Sequence, residues 1–142
     1  MAQEARFWDR IAHRYAKKPV ANEEAYQKKL AVTREYFRPD TEVLEFGCGT
    51  GSTAIAHAPF VRHIRATDIS PAMIEIAKGK AAAASIDNVT FEPVTIEDLE
   101  AADESFGVVL GMSILHLLES RDATIAKVYN LLAPGGAFIT ST

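Results

Sequence analysis

The chain has 142 residues, 48% apolar and 24% charged, an ordinary composition for one globular domain that excludes a disordered, collagen-like or low-complexity protein. Lys plus Arg total 15 against 19 Asp plus Glu, a formal net charge of −4, and the acids are dispersed, so no surface for nucleic acid or an anionic membrane is implied. A single cysteine, Cys48, rules out an internal disulfide, makes a poor zinc set with four histidines, and fits a reducing, cytoplasmic setting.

Residues 1–40 read as helix only. Trp8, Ile11, Ala12 and Tyr15 share one helical face, and Pro19 ends that segment. Asn22 caps the next helix, with Glu23 and Glu24 in a first turn whose dipole favours acids. Tyr26, Leu30, Thr33 and Phe37 form its apolar stripe, and Pro39 closes it. From Thr41 onward strands and helices alternate. Glu42–Phe46 is a short strand running into glycines, and Ser52–Ala58 is a helix stopped by Pro59. Val61–Thr67 is a second strand. Ser70-Pro71 opens the next helix, Ser as cap and Pro at the first position, where its missing N–H costs nothing. That helix reaches the alanine run 81–84. Asn88–Val94 and Ser105–Gly111 are the third and fourth strands. Asp122–Leu132 is a helix with Ile125, Val128, Leu131 and Leu132 on one face. Pro134-Gly135-Gly136 is a turn before a fifth strand, Ala137–Thr142.

Strands apolar on both faces and separated by helices imply a parallel sheet covered on both sides, a doubly wound α/β domain with right-handed crossovers. No segment approaches the roughly 20 apolar residues that span a bilayer; the most apolar stretch, Val108–Leu118, is broken by Ser113 and His116. The first ten residues carry no apolar signal region.

The informative stretch is Val43-Leu44-Glu45-Phe46-Gly47-Cys48-Gly49-Thr50-Gly51, where a strand hands over to a helix. Glycines there let the chain turn and let backbone N–H groups approach a ligand without Cβ clashes. A dinucleotide fingerprint needs G-x-G-x-x-G, but Ser52 stands where its third glycine belongs. Glu45 at the strand end repels a pyrophosphate and suits a cation. Asp68 ends the second strand 21 residues after Gly47, where an acid accepts both hydroxyls of a ribose.

Glu45-Phe46-Gly47-Cys48-Gly49-Thr50-Gly51, Thr67-Asp68-Ile69-Ser70-Pro71-Ala72-Met73 and Pro134-Gly135-Gly136, in this order and spacing, resemble the class I S-adenosylmethionine (SAM)-dependent methyltransferases over nearly the whole chain. Phe7-Trp8-Asp9-Arg10-Ile11-Ala12 with Tyr15 is similar to the lid helix of the small-molecule branch, which includes the quinone-biosynthesis enzymes. The resemblance implies a Rossmann-like parallel sheet of order 3-2-1-4-5 under an N-terminal helical lid, 1–40, with the SAM-binding core over 41–142. It implies SAM as cofactor and a small-molecule methyl acceptor. Gly47, Cys48, Gly49 and Gly51 would pass under the methionine part, near Glu45 and Tyr15. Asp68 would hold the ribose, and Ile69 and Met73 would flank the adenine. Thr95-Ile96-Glu97 would read the adenine edge, with Gly111 and Met112 at the end of the fourth strand completing the cofactor side. The family often has Asp where Thr95 and Gly107 stand; the first departure leaves that contact to the Ile96 backbone N–H. The family sheet has seven strands, in the order 3-2-1-4-5-7-6, and this chain supplies five. The expectation is a chain truncated at its fifth strand, or a homo-oligomer that covers the exposed edge.

Other residues admit two readings. Cys48 has no His or acid placed to activate it and reads as a small packing residue. His116 follows the fourth strand at the ligand edge and is the candidate general base, though Leu115, Leu117 and Leu118 equally suit a core-edge histidine. His57 and His63 read as surface residues. The function implied is in-line methyl transfer, where alignment alone can supply about 7–11 kcal/mol of the barrier and no catalytic pair is required. The alternatives are a SAM-binding module without turnover and an NAD-dependent oxidoreductase.

Overall fold

The computed structural model describes residues 5–7, 9–12, 23–112 and 121–141, with backbone alone at Met112, Arg121 and Ser141. Residues 5–7 and 9–12 are helical. Helix α1, Glu23–Arg34, packs Leu30 and Thr33 inward as its stripe predicts, and a turn carries the chain on to Phe37. Trp8, His13, Tyr15, Pro19 and Asn22 lie outside the described residues.

Five strands follow: β1 Glu42–Phe46, β2 His63–Thr67, β3 Val89–Glu92, β4 Phe106–Met112 and β5 Leu132–Ser141. They form one parallel sheet of order β3-β2-β1-β4-β5, the order the family resemblance implies. Side chains alternate across the sheet, so β1 feeds two cores. Val43 packs with Ile64, Ala66, Val108 and Leu110 beneath α2, Ser52–His57, and α3, Pro71–Ala83. Leu44 and Phe46 pack with Val109, Phe106, Ile96 and Leu99 beneath α4, Arg121–Leu131.

Several boundaries move for identifiable reasons. A 3₁₀ turn, Ala58–Phe60, follows α2, and Val61 closes it, so β2 starts at His63. The Asn88 amide holds this corner by donating to the Ala58 and Val61 carbonyls at 2.8 and 3.2 Å. β3 stops at Glu92 because Pro93 has no N–H to give the ladder. On α4 the buried face is Thr124, Val128 and Leu131, while Ile125, expected inside, is 43% exposed. The Pro134-Gly135-Gly136 turn lies within β5. Phe106 pairs with Leu132 but Val108 with Ala137, so residues 133–136 form a bulge, with Gly135 left-handed at φ 79°.

His57 corrects the surface reading. It is 1% exposed, its ring edge-on to Phe37 at 4.9 Å. Burial, reinforced by Arg34, pulls its pKa down to about 4, so it stays neutral. The six-residue α2 is too short for periodicity to reveal which side faces the core. His63 stays partly exposed and hydrogen-bonds Thr90 at 2.8 Å.

Candidate functional site

The strands all present their carboxyl ends to one edge, where ligands sit in open α/β sheets. Beyond β1 the chain turns through three left-handed glycines, Gly47 (φ 67°), Gly49 (φ 58°) and Gly51 (φ 83°). The Cys48 N–H donates to the Thr67 carbonyl at 2.9 Å, stitching this loop to the end of β2. A Cβ on Gly51 would lie 2.9 Å from the Ala77 Cβ and 3.0 Å from the Phe91 ring. That glycine lets the loop settle against α3 and β3. Lys80, from α3, adds hydrogen bonds to Ser52 at 2.6 Å and Thr50 at 3.3 Å.

Asp68 joins the loop to α3. Its Oδ2 accepts the Gly49 N–H at 2.9 Å, and its Oδ1 accepts the Ser70 N–H at 3.0 Å. A carboxylate offers about four lone-pair directions, so roughly two remain for a ligand. Burial raises the Asp68 pKa against the lowering effect of these amides, with Asp9 adding to the rise. Ser70 caps α3 by accepting the Met73 N–H at 3.1 Å, as Ser70-Pro71 predicts.

Glu45 is 3% exposed, and its Oε1 has no hydrogen-bond partner among the described residues. Burial first, and Asp68 second, push its pKa up to about 8. A buried carboxylate with no donor is costly unless it is protonated or meets a cation. That environment favours the neutral acid, or a cation beside it.

Other predicted residues are placed as follows. Ile69 is half-buried and Met73 buried beside Asp68. Thr95 Oγ1 accepts the Asp98 N–H at 3.0 Å, making a tight turn after β3. The Ile96 side chain enters the second core while its N–H stays without a partner among the described residues. Exposed Glu97 accepts from Thr124 at 3.1 Å, which ties its carboxylate to α4. A Cβ on Gly111 would come within 2.5 Å of Phe46, so this glycine makes room for the ring. Met112 ends β4 opposite Ser141. Cys48 is buried; burial raises its thiol pKa well above the ordinary value, and it weakly donates to the Gly49 carbonyl at 3.6 Å. That is a packing thiol rather than a nucleophile. His116 and Tyr15 lie outside the described residues.

Two residues at this edge escape the sequence reading. Tyr26 of α1 hydrogen-bonds Thr53 at 2.9 Å; burial chiefly, and Glu45 in part, raise its pKa. Asp9 Oδ1 accepts the Ala72 N–H at 3.0 Å and the Ser70 hydroxyl. Tyr26 falls in a stripe that reads as packing and Asp9 in the segment that resembles the lid helix, and the sequence reading gives neither a partner at the site.

The glycine turn, the anchored Asp68 and the switch of topology at β1 define a ligand-binding α/β domain, and residues 43–136 match the methyltransferase domain family. The chain belongs to that family. It is 31% identical over 140 residues to a demethylmenaquinone methyltransferase of Symbiobacterium thermophilum, a match covering 93% of this chain and 55% of that protein. Its fold matches the YcgJ protein of Bacillus subtilis with a TM-score of 0.77 at 27% identity, over 80% of this chain and 50% of that one. It also matches the [4+2]-cyclase SpnF with a TM-score of 0.87 at 22% identity, over 97% and 58% of the two chains; that likeness concerns the fold alone. The chain thus spans about half the length of these relatives.

Proposed function

We propose that the chain binds S-adenosylmethionine and serves methyl transfer to a small-molecule acceptor. The observation that carries this reading is the pairing of Asp68, held by two amides, with Glu45, buried and with no donor to its Oε1 among the described residues. A cofactor with a ribose diol at one end and an amino-acid ammonium at the other meets both needs. Relatives point the same way: the Listeria monocytogenes protein matched at 30% identity is described as a putative S-adenosylmethionine-dependent methyltransferase.

When bound, the cofactor supplies a methyl group on a sulfonium, reactive toward an aligned nucleophile. The chain's own residues bind and orient. Gly47 and Gly49 keep the loop free of Cβ atoms on the ligand side, while Gly51 lets it settle against Ala77 and Phe91, with Cys48 as its packing pin. Asp68 accepts the ribose hydroxyls through its remaining lone pairs. Glu45 meets the ammonium, directly or through water. Ile69 offers apolar surface to the adenine, while Met73, 2% exposed, has none to offer. The Ile96 N–H, without a partner among the described residues, reads the adenine edge in place of an acid at Thr95. Alignment of the acceptor provides the rate, on the order of 7–11 kcal/mol in favourable cases. His116, Tyr15 and Met112 remain proposals on the acceptor and cofactor sides. The dispersed charge favours neither nucleic acid nor membrane as partner, and the unpaired Cys48 fits a cytoplasmic setting.

Thermal melting with SAM and NAD in parallel separates this reading from an oxidoreductase, because only a bound ligand raises the midpoint. We expect a shift with SAM and none with NAD. Gly49→Val places a β-branched residue at φ 58° and should abolish the SAM shift. A shift with NAD alone would overturn the assignment.

A further inference from the structure

The Ser70 hydroxyl accepts the Met73 N–H, so its own proton needs an acceptor elsewhere. Asp9 provides it, and the same Oδ1 takes the Ala72 N–H at 3.0 Å. Ser70 is fully buried, and its backbone N–H is the donor that orients Asp68 Oδ1. A continuous chain of hydrogen bonds therefore runs from Asp9 through Ser70 to Asp68 and on to Gly49. Asp9 lies 59 positions before Asp68, in a separate helical segment, so the linkage is tertiary rather than a local cap. Placing one carboxylate near another is unfavourable electrostatically, and Asp9 does raise the proton affinity of Asp68. Simple helix capping would not need that repulsion, since Ser70 already caps α3.

We propose that Asp9 is a positioning residue for the ribose carboxylate, fixing Ser70 so that the lone pairs of Asp68 stay aimed at the vicinal hydroxyls of the ligand. The inference rests on the reading in which Asp68 takes the ribose. Asp9 touches no ligand itself. It acts through Ser70, so its effect should be confined to ligands that carry the diol.

The test is binding of S-adenosylhomocysteine, adenosine and 2′,3′-dideoxyadenosine to the full chain as wild type, Asp9→Ala and Asp9→Asn. Loss of a charge-assisted hydrogen bond predicts about tenfold weaker binding of S-adenosylhomocysteine and adenosine to Asp9→Ala. Binding of dideoxyadenosine should stay within about twofold of wild type. Asp9→Asn keeps an acceptor oxygen and should recover most of the loss, even if the alanine variant folds poorly. Equal weakening of both nucleosides, or no weakening, would overturn the proposal while leaving the site reading intact. A folded wild type that binds neither S-adenosylhomocysteine nor adenosine would overturn the site reading, and the proposal with it.

Discussion

Glu45 and His57 are buried ionisable residues on the α1–α3 side of the sheet, and they pull stability in opposite directions with pH. The folded state holds a proton on Glu45 up to about pH 8, whereas the unfolded chain releases it near its ordinary 4.5. Folded protein therefore binds more protons in that window, and stability falls as pH rises through it. Raised Asp68 acts in the same sense. His57 stays neutral down to about 4 while the unfolded chain protonates near 6.5, so its contribution is lost as pH falls below 6.5. The two oppose each other at acid pH, and above 6.5 Glu45 is the one that still acts. We expect the wild-type melting midpoint to decline between about pH 6.5 and 8, and Glu45→Gln to flatten that decline. A wild-type midpoint that rises over this range would contradict the burial argument. Binding of a cation should reverse the trend, because the charged form of Glu45 then has a partner.

At the scale of elements, α3 shows what local sequence can and cannot encode. Its start is legible, since Ser70-Pro71 carries a cap and a preset φ. Its end is not. Ser85 adopts φ 57° and closes a Schellman turn, with Ile86 N–H donating to the Ala81 carbonyl at 2.9 Å and Ser85 N–H to the Ala82 carbonyl at 3.1 Å. Glycine is the usual residue there, so its absence hid the turn that stops the helix. Ser85→Gly should gain up to about 1 kcal/mol by relieving the left-handed strain. Gly79 lies inside α3 with open space where a Cβ would stand. Gly79→Ala should add about 0.5–1 kcal/mol. Chemical denaturation checks both, and a loss of stability in either would contradict the geometry. Gly51→Ala should instead cost about 1–3 kcal/mol, since its Cβ meets Ala77 and Phe91 at a left-handed φ. On α4 the apolar residues suggested Ile125 as core, yet Thr124 takes the buried position and bonds Glu97. Composition could not reveal that tertiary partner.

For the molecule as a whole, the order of the five strands was expected from the family resemblance, which rests on motifs at strand ends; those motifs mark the carboxyl edge but do not by themselves say which strands are neighbours. Glu45, the glycine loop and Asp68 were legible because their chemistry is local and their spacing fixed. Asp9 and Tyr26 were not, because they reach the site from helices whose docking depends on the assembled fold. The bulge in β5 was also hidden, since Pro134-Gly135-Gly136 reads as a turn wherever it stands. No helix among the described residues is long and apolar enough to cross a membrane. The [4+2]-cyclase that shares this fold is a reminder that architecture places a site without choosing its reaction. The proposed function rests on a cradle in which Asp68 would accept a diol and the buried Glu45 would meet a cation. Calorimetric titration of the folded chain with S-adenosylmethionine, wild type against Asp68→Ala, addresses that cradle most directly. Saturable one-to-one binding to the wild type, lost in the variant, is the predicted result; a wild type that takes up no S-adenosylmethionine, or a variant that binds it equally well, would contradict it.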